Sequence, residues 1–212
     1  MSGGRFITLE GIEGAGKSTV ALALRAELEA RGIEALLTRE PGGTPLAESL
    51  RLLLLRRDGE VLNPVAETLL MFAARAVHLD NAIRPALAAG RWVICDRYTD
   101  ASYAYQGGGR AVSAALIDQL AAAVHADFWP DRTLLLDLPV DAGLARARAR
   151  PAAPDRFESE QRAFFERVRA AYLQRAAREP RRVRLIDGSA SAAAVAAAAL
   201  TAISDLLPAP PP

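Results

Sequence analysis

Gly11-Ile12-Glu13-Gly14-Ala15-Gly16-Lys17-Ser18 is the stretch whose reading decides the fold. It fits the pattern GxxxxGK[ST] without a mismatch. A short apolar run (6–9) precedes it, and a helical pattern of Val20, Leu22, Leu24 and Leu28 follows. Glycines let such a backbone curl so that successive N–H groups point inward at phosphate oxygens, beside a helix N-terminus that favours negative charge. Lys17 is then expected to reach the β- and γ-phosphates of a nucleotide, and the Ser18 hydroxyl to ligate Mg²⁺. The competing reading is a chance glycine loop before a helix. It has to explain why the only lysine of the chain occupies the motif's lysine position. GC-rich coding accounts for arginine elsewhere on the surface but not for this survivor.

Outward from the loop, strand-like runs recur at 34–38, 92–96, 133–137 and 183–186, with helical patterns between them. Thr44-Pro45 and Asn63-Pro64 read as N-caps with proline in the first turn, opening helices to about 55 and about 89. Pro85 should kink or divide the second of these. Further helices are expected at 113–124, from an Asp141 cap to about 150, at 158–178 and at 192–206. The alternation predicts an α/β, P-loop NTPase fold: a five-stranded parallel sheet with helices on both faces. One domain would span 1–207, with a lid insert at about 146–157 and a frayed proline-rich tail at 208–212.

The chain has 212 residues, 51% hydrophobic and 24% charged, which suits a folded domain rather than a disordered one. A net charge of +1 supplies no general field for nucleic acid or anionic membrane, so a polyanion site must be local. No apolar run reaches the roughly 20 residues of a membrane span, and 1–5 does not resemble a signal peptide. A cytoplasmic enzyme is expected. With one lysine, the guanine-reading NKxD element of signalling GTPases is excluded.

Polar residues gather just after the strands, at 11–18, 39–44 and 96–106, the end of an open α/β sheet where ligands bind. Glu13 works against the electrostatics of an anion-binding loop unless it accepts from a hydroxyl of a second substrate; a solvent-facing glutamate is the plainer alternative. Arg39 ends the second strand before Pro41-Gly42-Gly43. Phe72 and Arg75, at i and i+3, offer an aromatic surface beside a guanidinium. Asp96 can hold a metal or its water, and Arg97 can grip phosphate. Arg146, Arg148 and Arg150, with Asp155-Arg156, make either a solvated helix end or a lid that brings arginine to the migrating phosphoryl group. The loop residues Ile12 to Ala15 carry no cation, which favours the lid. Cys95, Trp92 and Trp129 read as packing, and His78 and His125 lack partners at metal spacing.

Together the segments GIEGAGKS (11–18), TREPGGT (38–44), MFAAR (71–75), DRY (96–98), AYQGGGR (104–110) and RARAR…DR (146–156) resemble the bacterial thymidylate kinases over nearly the whole chain. The resemblance is to the branch whose lid, not its loop, supplies arginine. It implies phosphorylation of dTMP by ATP with Mg²⁺, in a homodimer. Gly11, Ile12, Glu13, Gly14, Ala15, Gly16, Lys17, Ser18 and Thr19 would bind ATP, and Ser18 and Asp96 the metal. Glu13 would accept from the deoxyribose 3′-hydroxyl, Arg39 and Arg97 bind the acceptor phosphate, and Phe72 stack on thymine with Arg75 at the base edge. Ser102 and Gln106 would lie near base and sugar, and Tyr105 would crowd the 2′ position. Lys17, Arg97, Arg148 and Arg156 are the implied catalytic group. Tyr103 stands where the family pattern carries a smaller or amide residue. Two other readings stay open: a monophosphate kinase for another base, and a P-loop ATPase acting on nucleic acid, which the balanced charge opposes.

Overall fold

The structure, a computed structural model, describes residues 3–56, 60–149, 156–158 and 160–208. Part of the expected lid (150–155) and most of the proline-rich tail (209–212) lie outside the described residues. Five parallel strands form one sheet: β1 (Phe6–Glu10), β2 (Ala35–Arg39), β3 (Trp92–Asp96), β4 (Arg132–Asp137) and β5 (Val183–Asp187), in the order β2-β3-β1-β4-β5. β1 is buried at every position, as a central parallel strand covered on both faces must be. The one polar pair inside it is satisfied across the ladder, Thr8 facing Thr133 with the hydroxyls 2.8 Å apart.

Alternation along β1 sorts the two layers. Ile7 and Leu9 join Val20, Leu24 and Leu28 of α1 (Lys17–Ala30) and Val195 and Ala199 of α9 (Ala192–Ala202). Phe6 faces the opposite side, against Leu79, Ile83, Val93 and Tyr98. On that side α8 (Arg162–Arg178) contributes Phe164, Phe165, Val168 and Tyr172 to a further cluster with Tyr105 and Leu135.

The remaining helices are α2 (Pro45–Leu55), α3 (Pro64–His78), α4 (Arg84–Ala88), α5 (Thr99–Ser102), α6 (Ala114–Val124) and α7 (Val140–Arg148). Thr44 and Asn63 cap α2 and α3 through their side chains. Several expected bounds move, for local reasons. The helix expected over 64–89 is divided by a π-helical stretch, Leu79–Ile83, just before Pro85, whose ring would otherwise meet the carbonyl four residues back. Asp141 is not a cap; it lies in the first turn of α7 and pairs with Arg162 of α8, 2.7 Å away. The helix expected from 158 starts at Arg162, and the last one gives way to a 3₁₀ turn, Ser204–Leu206. The polar residues gathered after β3 form α5 and a π-helical stretch, Tyr103–Gly109, elements not expected from the sequence.

Candidate active site

A cavity of about 840 Å³ opens at the carboxyl ends of the strands, where the loop after β1 meets the segments after β2 and β3. Gly14 to Val20 line one side of it, with Arg146, Gly188 to Ala192 and Val195. Glu40, Arg51, Met71, Arg75, Ser102, Tyr105, Gln106 and Phe157 line the other, and Glu13, Asp96 and Arg97 lie among its walls as well.

The loop holds its shape through backbone that only glycine tolerates. Gly14 has φ 73°, and a Cβ there would land on the Gly143 carbonyl of α7. Lys17, at the first position of α1, is 8% exposed and donates to the carbonyls of Gly11 and Ile12, both at 3.1 Å. Burial, then the nearby Arg97 charge, holds its ammonium below the ordinary lysine range. Thr19 and Ser18 follow in the same lining. No group of three or more potential metal ligands occurs among the described residues. A magnesium site does not require one, because the ion keeps several waters and takes one or two protein ligands beside substrate phosphates. Asp96 fits that demand: its Oδ1 is buried without a hydrogen-bond partner, in the cavity that Ser18 also lines.

Glu13 faces inward, not to solvent. Its Oε1 accepts from Arg97 at 2.8 Å and its Oε2 from the Tyr105 hydroxyl at 2.6 Å, while the Arg97 guanidinium lies 4.5 Å from the Tyr105 ring centroid. Arg97 takes a left-handed backbone (φ 72°), a strained conformation for a side-chain-bearing residue. Its own N–H donates to the Leu9 carbonyl at 2.9 Å and its carbonyl accepts from the Cys95 thiol at 3.0 Å, and the next residue is fixed by Glu10, for which the sequence offered no signal. This fully buried carboxylate accepts from the Tyr98 N–H at 2.7 Å and the Tyr172 hydroxyl at 2.6 Å. Burial, followed by the Asp100 charge, raises its pKa from 4.5 to about 8, against the opposing pull of Tyr172 and Arg97.

On the acceptor wall Arg75 is 2% exposed. It donates to Glu40 at 2.7 Å, to Ser102 at 3.0 Å and to the Tyr98 carbonyl at 3.1 Å. Glu40 also receives His78, whose other nitrogen meets Thr38, so His78 is a packing residue. Gln106 lines the cavity and donates to Glu67 at 2.8 Å.

Four expected residues stand elsewhere. Phe72 is 1% exposed, packed with Ile117 and Ala121 of α6 beneath the Arg75 guanidinium; Met71, one turn before Arg75, is the apolar α3 side chain that lines the cavity beside Arg75. The helix phase decides this, since one residue of offset rotates a side chain by about 100°. Arg39 points out of the cavity onto Glu48 (2.9 Å), which also accepts from the Gly43 N–H; Arg51 of α2 lines the cavity in its place. Arg156 lies against Glu67 (2.8 Å), donates to the Leu54 carbonyl and covers the ring of Phe157, which lines the acceptor wall. Arg148 is exposed on the last turn of α7, and the arginine of that helix that lines the cavity is Arg146, bound to the Gly188 carbonyl at 2.9 Å. Tyr103 donates to Asp118 at 2.6 Å and carries the Arg175 guanidinium over its ring, which makes it part of the support for α5. Arg51 and Glu10 carried no signal beyond lying on patterned elements, whereas Arg146 stood among the lid arginines and Met71 within MFAAR; for all four, only the phase in the folded chain brings the side chain to the site.

A parallel sheet with a GxxxxGK[ST] loop at one end of the cavity and a second, arginine- and carboxylate-lined wall facing it defines a P-loop nucleotide phosphotransferase. A sequence model of the thymidylate kinase family matches residues 9–199. The chain belongs to the thymidylate kinase family, enzymes that phosphorylate dTMP to dTDP at the expense of ATP. It is 53% identical to a thymidylate kinase of Alkalilimnicola ehrlichii over 207 residues, covering 98% of this chain and 94% of that protein. It is 59% identical to one of Pseudomonas fluorescens over 186 residues, 88% of each. Among solved structures, the crystal structure of the Ehrlichia chaffeensis thymidylate kinase matches with a TM-score of 0.77 at 34% identity, over 95% of this chain and 99% of that one. No helix among the described residues is long and apolar enough to cross a membrane.

Proposed function

We propose that the two walls of the cavity divide the substrates, with Glu13 and Arg97 between them, and that this division performs Mg²⁺-dependent transfer from ATP to dTMP. The observation that carries the reading is the Glu13–Arg97–Tyr105 cluster, which joins the nucleotide loop to the acceptor wall. The backbone N–H groups of 11–19 and the Lys17 ammonium cradle the triphosphate, and the stretch Gly188 to Ala192 with Val195 receives the adenosine end. Ser18 and Asp96 would hold Mg²⁺, which supplies neutralisation of charge on the β- and γ-phosphates.

On the acceptor side Arg97, with Arg51, grips the dTMP phosphate and sets it in line. Glu13 accepts from the 3′-hydroxyl, Tyr105 occupies the space a 2′-hydroxyl would need, and Met71, Arg75, Ser102 and Gln106 surround the base. Phe72 enters as the buried platform of Arg75, and Arg39 as the partner of Glu48 that holds the turn. The attacking dTMP oxygen is already anionic, so alignment and charge neutralisation suffice without a dedicated base. The reading includes one kinase domain over 1–207, a cytoplasmic location, where both nucleotides are made and used, and a homodimer.

A panel of nucleoside monophosphates, assayed with ATP with and without Mg²⁺, tests it. The expected result is the highest kcat/KM for dTMP; a higher value for another monophosphate would sink the base assignment. In the same assay Lys17→Ala should lose at least about a hundredfold in kcat while calorimetry still detects dTMP binding. Equal loss of dTMP binding in a folded Lys17→Ala protein would contradict the division.

A further inference from the structure

Glu67 of α3 is fully buried and does not line the cavity, yet three functional segments converge on it. Its Oε1 accepts from Gln106 at 2.8 Å, and its Oε2 is met by Arg110 at 3.2 Å and by Arg156 at 2.8 Å. Arg110 also reaches Glu160 at 2.6 Å. Arg156 is further tied through its Nε to the Leu54 carbonyl at 2.9 Å, and its guanidinium covers the Phe157 ring at 4.6 Å. Phe157 in turn lines the cavity and stands edge-on to Tyr105, the residue that donates to Glu13.

A carboxylate this deeply buried is tolerable only when its charge is matched, and here two arginines match it. Those arginines come from different places: Arg110 closes the segment after β3, and Arg156 precedes the aromatic wall of the cavity. We propose that Glu67 is a positioning residue for the acceptor site, and that Arg156 is the clamp through which it holds Phe157 and Gln106 in the wall that receives the acceptor nucleotide. Arg156 thus acts on acceptor binding and not on the migrating phosphoryl group. With its Nε on the Leu54 carbonyl, its Nη2 paired with the buried Glu67 carboxylate and its face on Phe157, the guanidinium is tied to the acceptor side of the cavity.

The proposal rests on the acceptor assignment above, and kinetics on the full chain separate the two. Failure of the wild-type chain to phosphorylate dTMP would sink that assignment; the clamp is read from variants. Arg156 lies in a partly exposed turn, so Arg156→Ala leaves Glu67 with Arg110 and Gln106. Its KM for dTMP should rise about tenfold or more, with KM for ATP within about twofold and kcat within about threefold. A fall in kcat of about a hundredfold at unchanged KM for dTMP would overturn the clamp and return Arg156 to the phosphoryl group. Unchanged constants, or equal rises in both KM values, would also overturn it.

Glu67→Gln, which keeps the shape but not the charge, should raise KM for dTMP in the same selective way. In that background Arg156→Ala should add less than about twofold, because the partner is already gone. Full additivity of the two changes would show that they act apart, against the proposal.

Discussion

At the scale of single residues, the least expected result is Glu10. The chain places a carboxyl group at the end of a central strand, with no cation hydrogen-bonded to it among the described residues, and uses it to fix the backbone of Tyr98 and the hydroxyl of Tyr172. Its pKa in the fold, about 8, exceeds the 4.5 of the ordinary group, so the folded state binds the extra proton between those values. The stability this confers is complete below about pH 4.5 and is lost as pH rises through about 8, at roughly 1 kcal/mol per pH unit. Glu10→Gln should flatten the fall in melting temperature over that window; an unchanged pH profile would remove Glu10 as its source. Lys17 and Glu13 were legible from their positions in a loop whose geometry is set by neighbours in sequence. Phe72 and Arg39 were not, because a side chain's direction depends on helix phase and on the turn that follows a strand.

At the scale of elements, α5 is a single turn that carries Ser102 to the cavity, and nothing in its own length would keep it helical. Asp100, 1% exposed, anchors it from beneath. The carboxylate receives two hydrogen bonds from Arg182, at 2.7 and 2.9 Å, and one from Arg175 of α8 at 3.0 Å. Burial alone would raise its pKa, but the hydrogen bonds and charges of Arg182 and Arg175 outweigh it and hold the group below 3.8. Asp100→Ala should therefore cost about 3–5 kcal/mol of stability in denaturant titrations, since it leaves two guanidinium groups without their shared partner. A loss well under about 1 kcal/mol would mean that Arg175 and Arg182 relax onto Glu179, with which both already pair. The five strands and most helices could be read from apolar periodicity and from the Thr44 and Asn63 caps. The two π-helical stretches could not, because an i→i+5 turn has no residue pattern of its own and arises from what surrounds it.

At the scale of the whole molecule, α2 and α3 pack on each other and still leave large apolar side chains in solvent. Leu46 and Leu53, two turns apart on α2, are 57% and 51% exposed, and Val65 and Leu69, one turn apart on α3, are both 48% exposed. A helix pair of this kind suits the homodimer proposed above, since such surface is costly to leave wet. Leu53→Glu together with Leu69→Glu should shift sedimentation from dimer to monomer while circular dichroism stays unchanged; a persisting dimer would place the interface elsewhere. The rest of the surface owes its cations to arginine, and that leaves the buried Lys17 in an unusual position. The Lys17–Ser18 bond is the only one in 212 residues that a lysine-specific endoprotease can cut, and it lies at the root of α1 inside the nucleotide loop. Such a protease cannot report on fraying termini or surface loops. Its single cleavage, seen as two fragments on a gel, would time the opening of the phosphate cradle alone, and the nucleotide concentration that suppresses it would give an affinity without any catalytic turnover.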